Sequence, residues 1–270
     1  MKTNKIAALK DTIEFVWVFL YGIVVSEKCR CPKRVVIYYH SVKNADIDKF
    51  EKQMEYVAKH CHVVKASEIM TASANGCKTV VGITFDDAFV SVYENAVPVL
   101  KKQKLPAAIF VPTGNLGKTP LWALRDDCYD AKEIVMTEQQ IVELDKAGFE
   151  IFSHTVTHAD LTQIENDKLQ RELTESKRNL EDLLQHEVIG VSYPHGACNV
   201  ETCKAAAQAG YKMGFCIEPY SVDLSSDKFR IGRFKVSPKE IFARFRLKIS
   251  GAYEAARYLR KLKRMFIRSC

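Results

Sequence analysis

Apolar residues fall in short unbroken runs along most of the chain, and each run is followed by a stretch whose apolar positions recur every three or four residues. Runs of this length, rich in β-branched and aromatic residues, predict strands buried on both faces, and the longer periodic stretches predict helices with one apolar stripe. Val35-Val36-Ile37-Tyr38-Tyr39 is the first strand, and Lys49 to Ala58 the first helix. A strand over Thr79 to Phe85 precedes a helix from Val90 to Gln103, and Ala107 to Val111 is the next strand. A helix from Thr137 to Ala147, a strand over Phe149 to Phe152 and a long polar helix from Glu165 to Leu184 follow. Val188 to Tyr193, a helix over Glu201 to Ala209 ending at Gly210, Phe215 to Ile217 and Arg230 to Val236 complete the series. Strands that alternate with helices imply parallel pairing, hence a doubly wound sheet or a barrel. The alternation contains no internal repeat and no low-complexity segment.

Two segments stand apart from the alternation. Ile13 to Val25 is apolar except for Glu14, too short for a bilayer span of roughly 20 residues. It suits an interfacial helix, a signal or anchor segment with Val24 and Ser26 before a cleavage point, or a helix packed on the body, and residues 1–30 are set apart as an N-terminal extension. From Gly251 onward Ala255, Tyr258, Leu259, Leu262, Met265 and Phe266 form an apolar stripe opposite Arg257, Arg260, Lys261, Arg264 and Arg268. Residues 239–270 are therefore expected to be a basic amphipathic C-terminal helix. Its alternatives are an anionic membrane surface as partner, or packing on the body with solvated charges.

Charge strengthens the first alternative. The net charge is +7, yet residues 239–270 hold ten Lys/Arg against Glu240 and Glu254, so that tail carries +8 and the body is close to neutral. With a neutral body and no recognition motif, no nucleic-acid partner is expected. The expected location is peripheral on a membrane, on either face. At 270 residues, 47% hydrophobic and 27% charged, the chain is an ordinary globular protein with one sizeable core. Nine cysteines without a CxxC pair indicate no disulfide framework. Cys29 and Cys31 lack the second pair a metal knuckle needs, so reduced thiols are expected.

Chemistry-bearing residues gather where strands end, the place α/β folds build their sites. Asp86 and Asp87 follow the strand ending at Phe85; two adjacent carboxylates need a cation or a proton between them, or else they are a solvated turn capping a helix. His154 and His158 follow the strand ending at Phe152, and a pair four apart can face one ion. An aspartate with two imidazoles leaves coordination positions for water and substrate, as in a catalytic divalent site. Tyr193-Pro194-His195-Gly196 is a turn whose backbone N–H groups can face an oxyanion, and His40 closes the first strand.

Thr-Phe-Asp-Asp, Ser-His-Thr-x-x-His and Tyr-Pro-x-Gly, in that order over residues 35 to 236, resemble the leading motifs of the polysaccharide deacetylase family, the NodB-homology domain of carbohydrate esterase family four. The resemblance implies an α/β fold, a single distorted (β/α) barrel over residues 33–238 with N- and C-terminal helical extensions. It implies a carbohydrate N-deacetylase holding one divalent ion, usually zinc, with nickel, cobalt, iron or manganese as alternatives. By the same resemblance Asp86 is the base, and Asp87, His154 and His158 are the metal ligands. Tyr193, Pro194 and His195 are substrate contacts. Three departures stand out: Ser192 replaces the third motif's arginine, His195 replaces its tyrosine, and no late Leu-x-His supplies an acid. Tyr-Tyr-His-Ser-Val is similar to a motif of the poly-N-acetylglucosamine deacetylase branch, which makes His40 the candidate acid. Within Arg230-Ile231-Gly232-Arg233, Arg233 is preferred over Arg230 as the substitute arginine at the substrate site. The expected substrate is an amino-sugar glycan or a lipid-linked saccharide; alternatives are a non-catalytic glycan-binding barrel and a deformylase of a polyprenyl-linked sugar.

Overall fold

A computed structural model describes residues 33–73, 78–122 and 130–254. The N-terminal segment 1–30 and the stripe from Ala255 to Phe266 lie outside the described residues, and so do expectations that rest on them. Strands β1 (Arg34–Tyr39), β2 (His62–Val64), β3 (Val80–Phe85), β4 (Ala108–Val111), β5 (Glu150–Ser153), β6 (Gly190–Ser192), β7 (Met213–Phe215) and β8 (Phe234–Lys235) form one sheet. Its order is β7-β6-β5-β4-β3-β1-β8, with β2 on β3 off that path, and every strand pair is parallel. Residues 231–235 link the two edges: Ile231 bridges Phe215 of β7, and three residues later Phe234 pairs with Ile37 of β1. The sheet thus curls into the expected distorted (β/α) barrel.

Helices α1 (Ile47–His60), α2 (Val97–Gln103), α3 (Glu138–Lys146), α4 (Asn166–Leu184), α5 (Val200–Gln208) and α6 (Phe242–Ile249) connect or cover the strands. Thr137 and Gln140 close a reciprocal capping box that fixes where α3 begins. The helix expected from Val90 instead opens with a π-helical turn at Val92–Ala96, the Val97 N–H reaching Val92 O. Pro98 has no N–H to donate to the preceding turn, which accounts for the irregular ladder there.

Side chains alternate between two apolar layers. Val35, Ile37 and Tyr39 of β1, Val81, Ile83 and Phe85 of β3, and Ile109 and Val111 of β4 pack outward against the helices. Val36, Val80, Ala108, Phe110, Phe152, Phe215 and Ile231 fill the barrel interior. This two-residue period decides which residues reach the barrel mouth, because the inward parity continues past each strand end.

Residues 239–250, assigned from sequence to the C-terminal extension, pack on the body. Phe245 and Ile249 of α6 are buried, Phe242 and Phe245 meet the Tyr56 ring of α1, and Gly251 (φ +74°) follows the end of this short helix. No described helix is long and apolar enough to cross a membrane.

Candidate active site

Inward parity carries Val80, Gly82 and Thr84 on to Asp86, Phe152 on to His154, Gly190 on to Ser192, Val36 and Tyr38 on to His40, and Ile231 on to Arg233. These residues come from strands far apart in sequence and meet at the carboxyl end of the barrel. Asp86 is buried, and its N–H donates to Tyr39 O, which ties the end of β3 to the end of β1 beside His40. After Asp86 the chain enters the left-handed region at Asp87 (φ +70°) and Ala88 (φ +48°), turning the second carboxylate towards the histidines.

Asp87 Oδ1 lies 3.3 Å from His158 Nε2 and 3.6 Å from His154 Nε2. All three side chains are buried, and their donor atoms gather within 4.8 Å. His154 Nδ1 stands 2.8 Å from Ser192 O, which turns Nε2 towards Asp87. Asp87 Oδ1 accepts no well-formed hydrogen bond despite being buried. A buried, unsatisfied carboxylate oxygen normally has an occupant to face. Neighbouring donors in a tetrahedral zinc shell with bonds of about 2.0–2.1 Å stand about 3.3 Å apart, so oxygen and imidazole nitrogens here fit a divalent ion. Burial raises the Asp87 carboxyl, but contact with His158 and the charges of His40 and His154 outweigh it and bring it down to about 2. Burial pushes His154 down to about 4 against the pull of Asp86 and Asp87, which favours the neutral imidazole a metal ligand requires.

Arg233 lies beneath Asp86. Its Nη1 donates to Asp86 Oδ1 (2.7 Å) and Nη2 to Asp86 Oδ2 (2.9 Å), a bidentate pair. The remaining donors go to Thr84 Oγ1, Ser192 Oγ and Cys216 O, and the guanidinium sits over the rings of Tyr38 and Phe110. Burial alone would raise the Asp86 carboxyl; Arg233 first, then His154 and His40, hold it below the usual carboxylate range.

Burial and these contacts correct three expectations. Arg233 was expected at the substrate, but it is fully buried and all five of its N–H donors are satisfied by protein, so it grips the candidate base instead. It does occupy the place of an arginine missing at position 192, since Ser192 Oγ touches it at 2.7 Å. Arg230 is a partly exposed residue paired with Glu218. Tyr193 was expected to contact substrate, yet its ring is buried and its hydroxyl donates to Phe229 O. Pro194 is buried as well.

His195 does reach the mouth, exposed and in the left-handed region (φ +57°), with its ring 4.8 Å from that of His158. Burial on that side and the neighbouring His158 lower its pKa. The N–H groups of Gly196 and Ala197 are consumed within the turn by Tyr193 O and Pro194 O. His40, half-buried, lies against Tyr38, and its charge is felt at both Asp86 and Asp87.

Three residues had no part in the sequence reading. Trp122 stacks on His158, centroids 4.3 Å apart, without a motif to mark it. Glu172 and Ser176 of α4 hold the histidine loop, and they occupy the apolar register of Leu169, Leu173, Leu180 and Leu184. Polar residues within an apolar stripe were the available signal.

Known proteins match most of the described body of the chain. The family model described as polysaccharide deacetylase matches residues 73–214. The chain is 29% identical over 215 residues to the Bacillus subtilis protein YxkH, covering 76% of this chain and 72% of that one. It is 27% identical over 219 residues to the poly-beta-1,6-N-acetyl-D-glucosamine N-deacetylase of Staphylococcus aureus, covering 74% and 72%. Among solved structures, the Streptococcus pyogenes deacetylase PplD in complex with acetate superposes with TM-score 0.64 at 26% identity, over 77% of this chain and 93% of that one. IcaB from Ammonifex degensii shares the fold, with TM-score 0.68 at 21% identity over 82% and 97%. With the model matching more than half of its length and the motif residues assembled at one barrel mouth, the chain belongs to the polysaccharide deacetylase family.

Proposed function

We propose that the protein is a metal-dependent N-deacetylase of amino-sugar glycans, with Asp87, His154 and His158 holding the ion. The observation that carries this is the pairing at one mouth of a base clamped by Arg233 with an unsatisfied Asp87–His154–His158 cluster. When bound, a divalent ion, zinc by the donor set, supplies Lewis-acid activation of water and of the amide carbonyl.

Asp86 takes the proton from the attacking water. Both of its oxygens accept from Arg233, and each keeps a second lone pair for this transfer. Arg233 keeps that carboxylate ionised and fixes its plane. His40, near both carboxylates and open to the mouth, donates a proton to the departing amine. The Trp122 and His195 rings both lie against His158 and flank the side of the site where substrate would enter.

The basic segment 239–270 supports a place at an anionic membrane surface, where a lipid-linked saccharide would be within reach of the barrel mouth. Acetate release is the deciding assay, using N-acetylglucosamine oligomers and a lipid-linked saccharide extract with zinc-loaded wild type and Asp86→Asn. Release by wild type, lost in the variant, is expected; equal release from both would overturn the role of Asp86. Liposome sedimentation of the full chain beside a chain ending at residue 251 tests the membrane part, and equal sedimentation of the two would refute it.

A further inference from the structure

The loop that carries both candidate histidine ligands does not support itself. Between β5 and α4 it enters the left-handed region at Thr155 (φ +66°) and again at His158 (φ +60°), where Thr and His settle only when their surroundings hold them. Its carbonyl side is held by the turn after β4, with the Thr113 N–H donating to Thr155 O (3.0 Å) and the Gly114 N–H to Val156 O (2.9 Å). Gly114 is required there, since a Cβ would stand 2.8 Å from Val156 O.

The amide side is held by one carboxylate. Glu172 Oε2 accepts from the N–H groups of Val156 and Thr157, each at 2.9 Å, and Oε1 accepts from Thr157 Oγ1 at 2.6 Å. Glu172 is 4% exposed, and among the described residues no Lys, Arg or His forms an ion pair with it. A buried carboxylate without a counter-ion is costly unless several donors satisfy it, and here the donors all belong to the loop. One turn further along α4, Ser176 Oγ meets Ser153 Oγ (2.7 Å), which in turn accepts from the Thr155 N–H (3.1 Å). The Thr155 hydroxyl then accepts the His158 N–H at 3.2 Å. One face of α4 therefore clasps the loop from Ser153 to Thr157.

We propose that Glu172 is a positioning residue for metal binding. Its carboxylate sets the backbone of Val156 and Thr157 so that His158 is presented to Asp87 and His154 before an ion arrives. The inference rests on the reading of Asp87, His154 and His158 as ligands. An acceptor-only group matches three donors; a glutamine there keeps one acceptor oxygen for the two backbone N–H groups and forces the Thr157 hydroxyl to turn.

The test is zinc affinity by chelator competition on the full chain, for wild type, Glu172→Gln, Glu172→Ala and Thr157→Val, with melting temperatures measured with and without zinc. Losing a group that orients a ligand typically weakens metal binding by about 10–100-fold, the range expected for Glu172→Ala, with Glu172→Gln and Thr157→Val in between. The rise in melting temperature on adding zinc is expected to shrink in the same order. Should Glu172→Ala fail to fold, the near-isosteric Glu172→Gln and the surface-side Thr157→Val carry the comparison. Wild-type affinity in the folded variants, with metal-free and zinc-loaded melting lowered equally, would show that Glu172 only fastens α4 and would overturn the proposal. A wild type that binds no zinc would instead bring down the metal reading itself.

Discussion

Replacing Arg233 tests the logic of the site most directly. Arg233→Met removes a fully buried cation, whose guanidinium lies over the rings of Tyr38, Phe110 and Phe215, and leaves the Asp86 carboxylate, itself 3% exposed, without its bidentate partner. Breaking a buried ion pair from one side costs about 3–5 kcal/mol, because the remaining charge is stranded. In urea unfolding of the metal-free protein, Arg233→Met is expected to lose that amount at pH 7. Asp86→Asn strands Arg233 less severely, since Ser192, Thr84 and Cys216 O still accept from it. The double variant leaves neither charge stranded, so its loss should be smaller than the two single losses together, by about 2–3 kcal/mol.

Acidification supplies a second readout with a defined sign. In wild type the folded-state pKa of Asp86 is depressed, so its contribution is present above the unfolded carboxylate value and is lost only as pH falls through the lower folded value. Without Arg233 burial dominates and the folded pKa rises above the unfolded one. The folded variant then binds a proton that the unfolded chain has released, and its stability grows as pH falls. The gap between wild type and Arg233→Met should therefore narrow from pH 7 towards pH 5. A gap that stays constant across that range, together with additive losses at pH 7, would mean that the pair does not interact as the geometry states.

Other expectations follow from single contacts. His40→Ala should lower amide deacetylation by about 10²–10⁴-fold while sparing 4-nitrophenyl acetate, whose leaving group needs no proton; an equal loss on both substrates would remove His40 from the acid role. Ser192→Arg, which restores the usual motif residue, should impair folding because its guanidinium would be driven against Arg233 in a fully buried place, and Ser192→Arg/Arg233→Ser should recover part of the loss in a thermal melt. Gly214→Ala would place a Cβ 2.2 Å from Tyr193 Oη and 2.9 Å from Phe229 O, and should cost about 1–3 kcal/mol in denaturant unfolding.

Much of this site was legible because strands have a two-residue period. Once Val36, Val80 and Phe152 are recognised as inward-facing, His40, Asp86 and His154 must project from the same side of their strands, and parallel pairing brings those strand ends to one mouth. Asp87 breaks the parity, and His158 lies in the loop five residues past the end of β5, where strand parity no longer applies. Both sit at positive φ, and a backbone reversal of a non-glycine residue leaves no mark in composition or periodicity. Their convergence was readable from the four-residue spacing of the histidines beside a double aspartate at another strand end, not from strand parity.

Arg233 shows the opposite limit. Its parity with Ile231 was visible, yet an arginine in a strand invites the expectation of an exposed or substrate-facing charge, because such residues are rarely buried without a partner. The partner was Asp86, separated by 147 positions, and only barrel closure through residues 231–235 brings the two together. Ser192 is the residue that makes room: its short side chain leaves the volume Arg233 fills and contributes one of the acceptors that Arg233 needs. The late arginine expected to replace the missing motif arginine does fill its place, but its partner is Asp86 and not the substrate. The same reasoning applies to Glu172, whose place in the apolar register of α4 is explained by the three loop donors it accepts. In both cases the informative signal was a charged residue where burial was expected, and the partner lay where chain topology, rather than sequence proximity, put it.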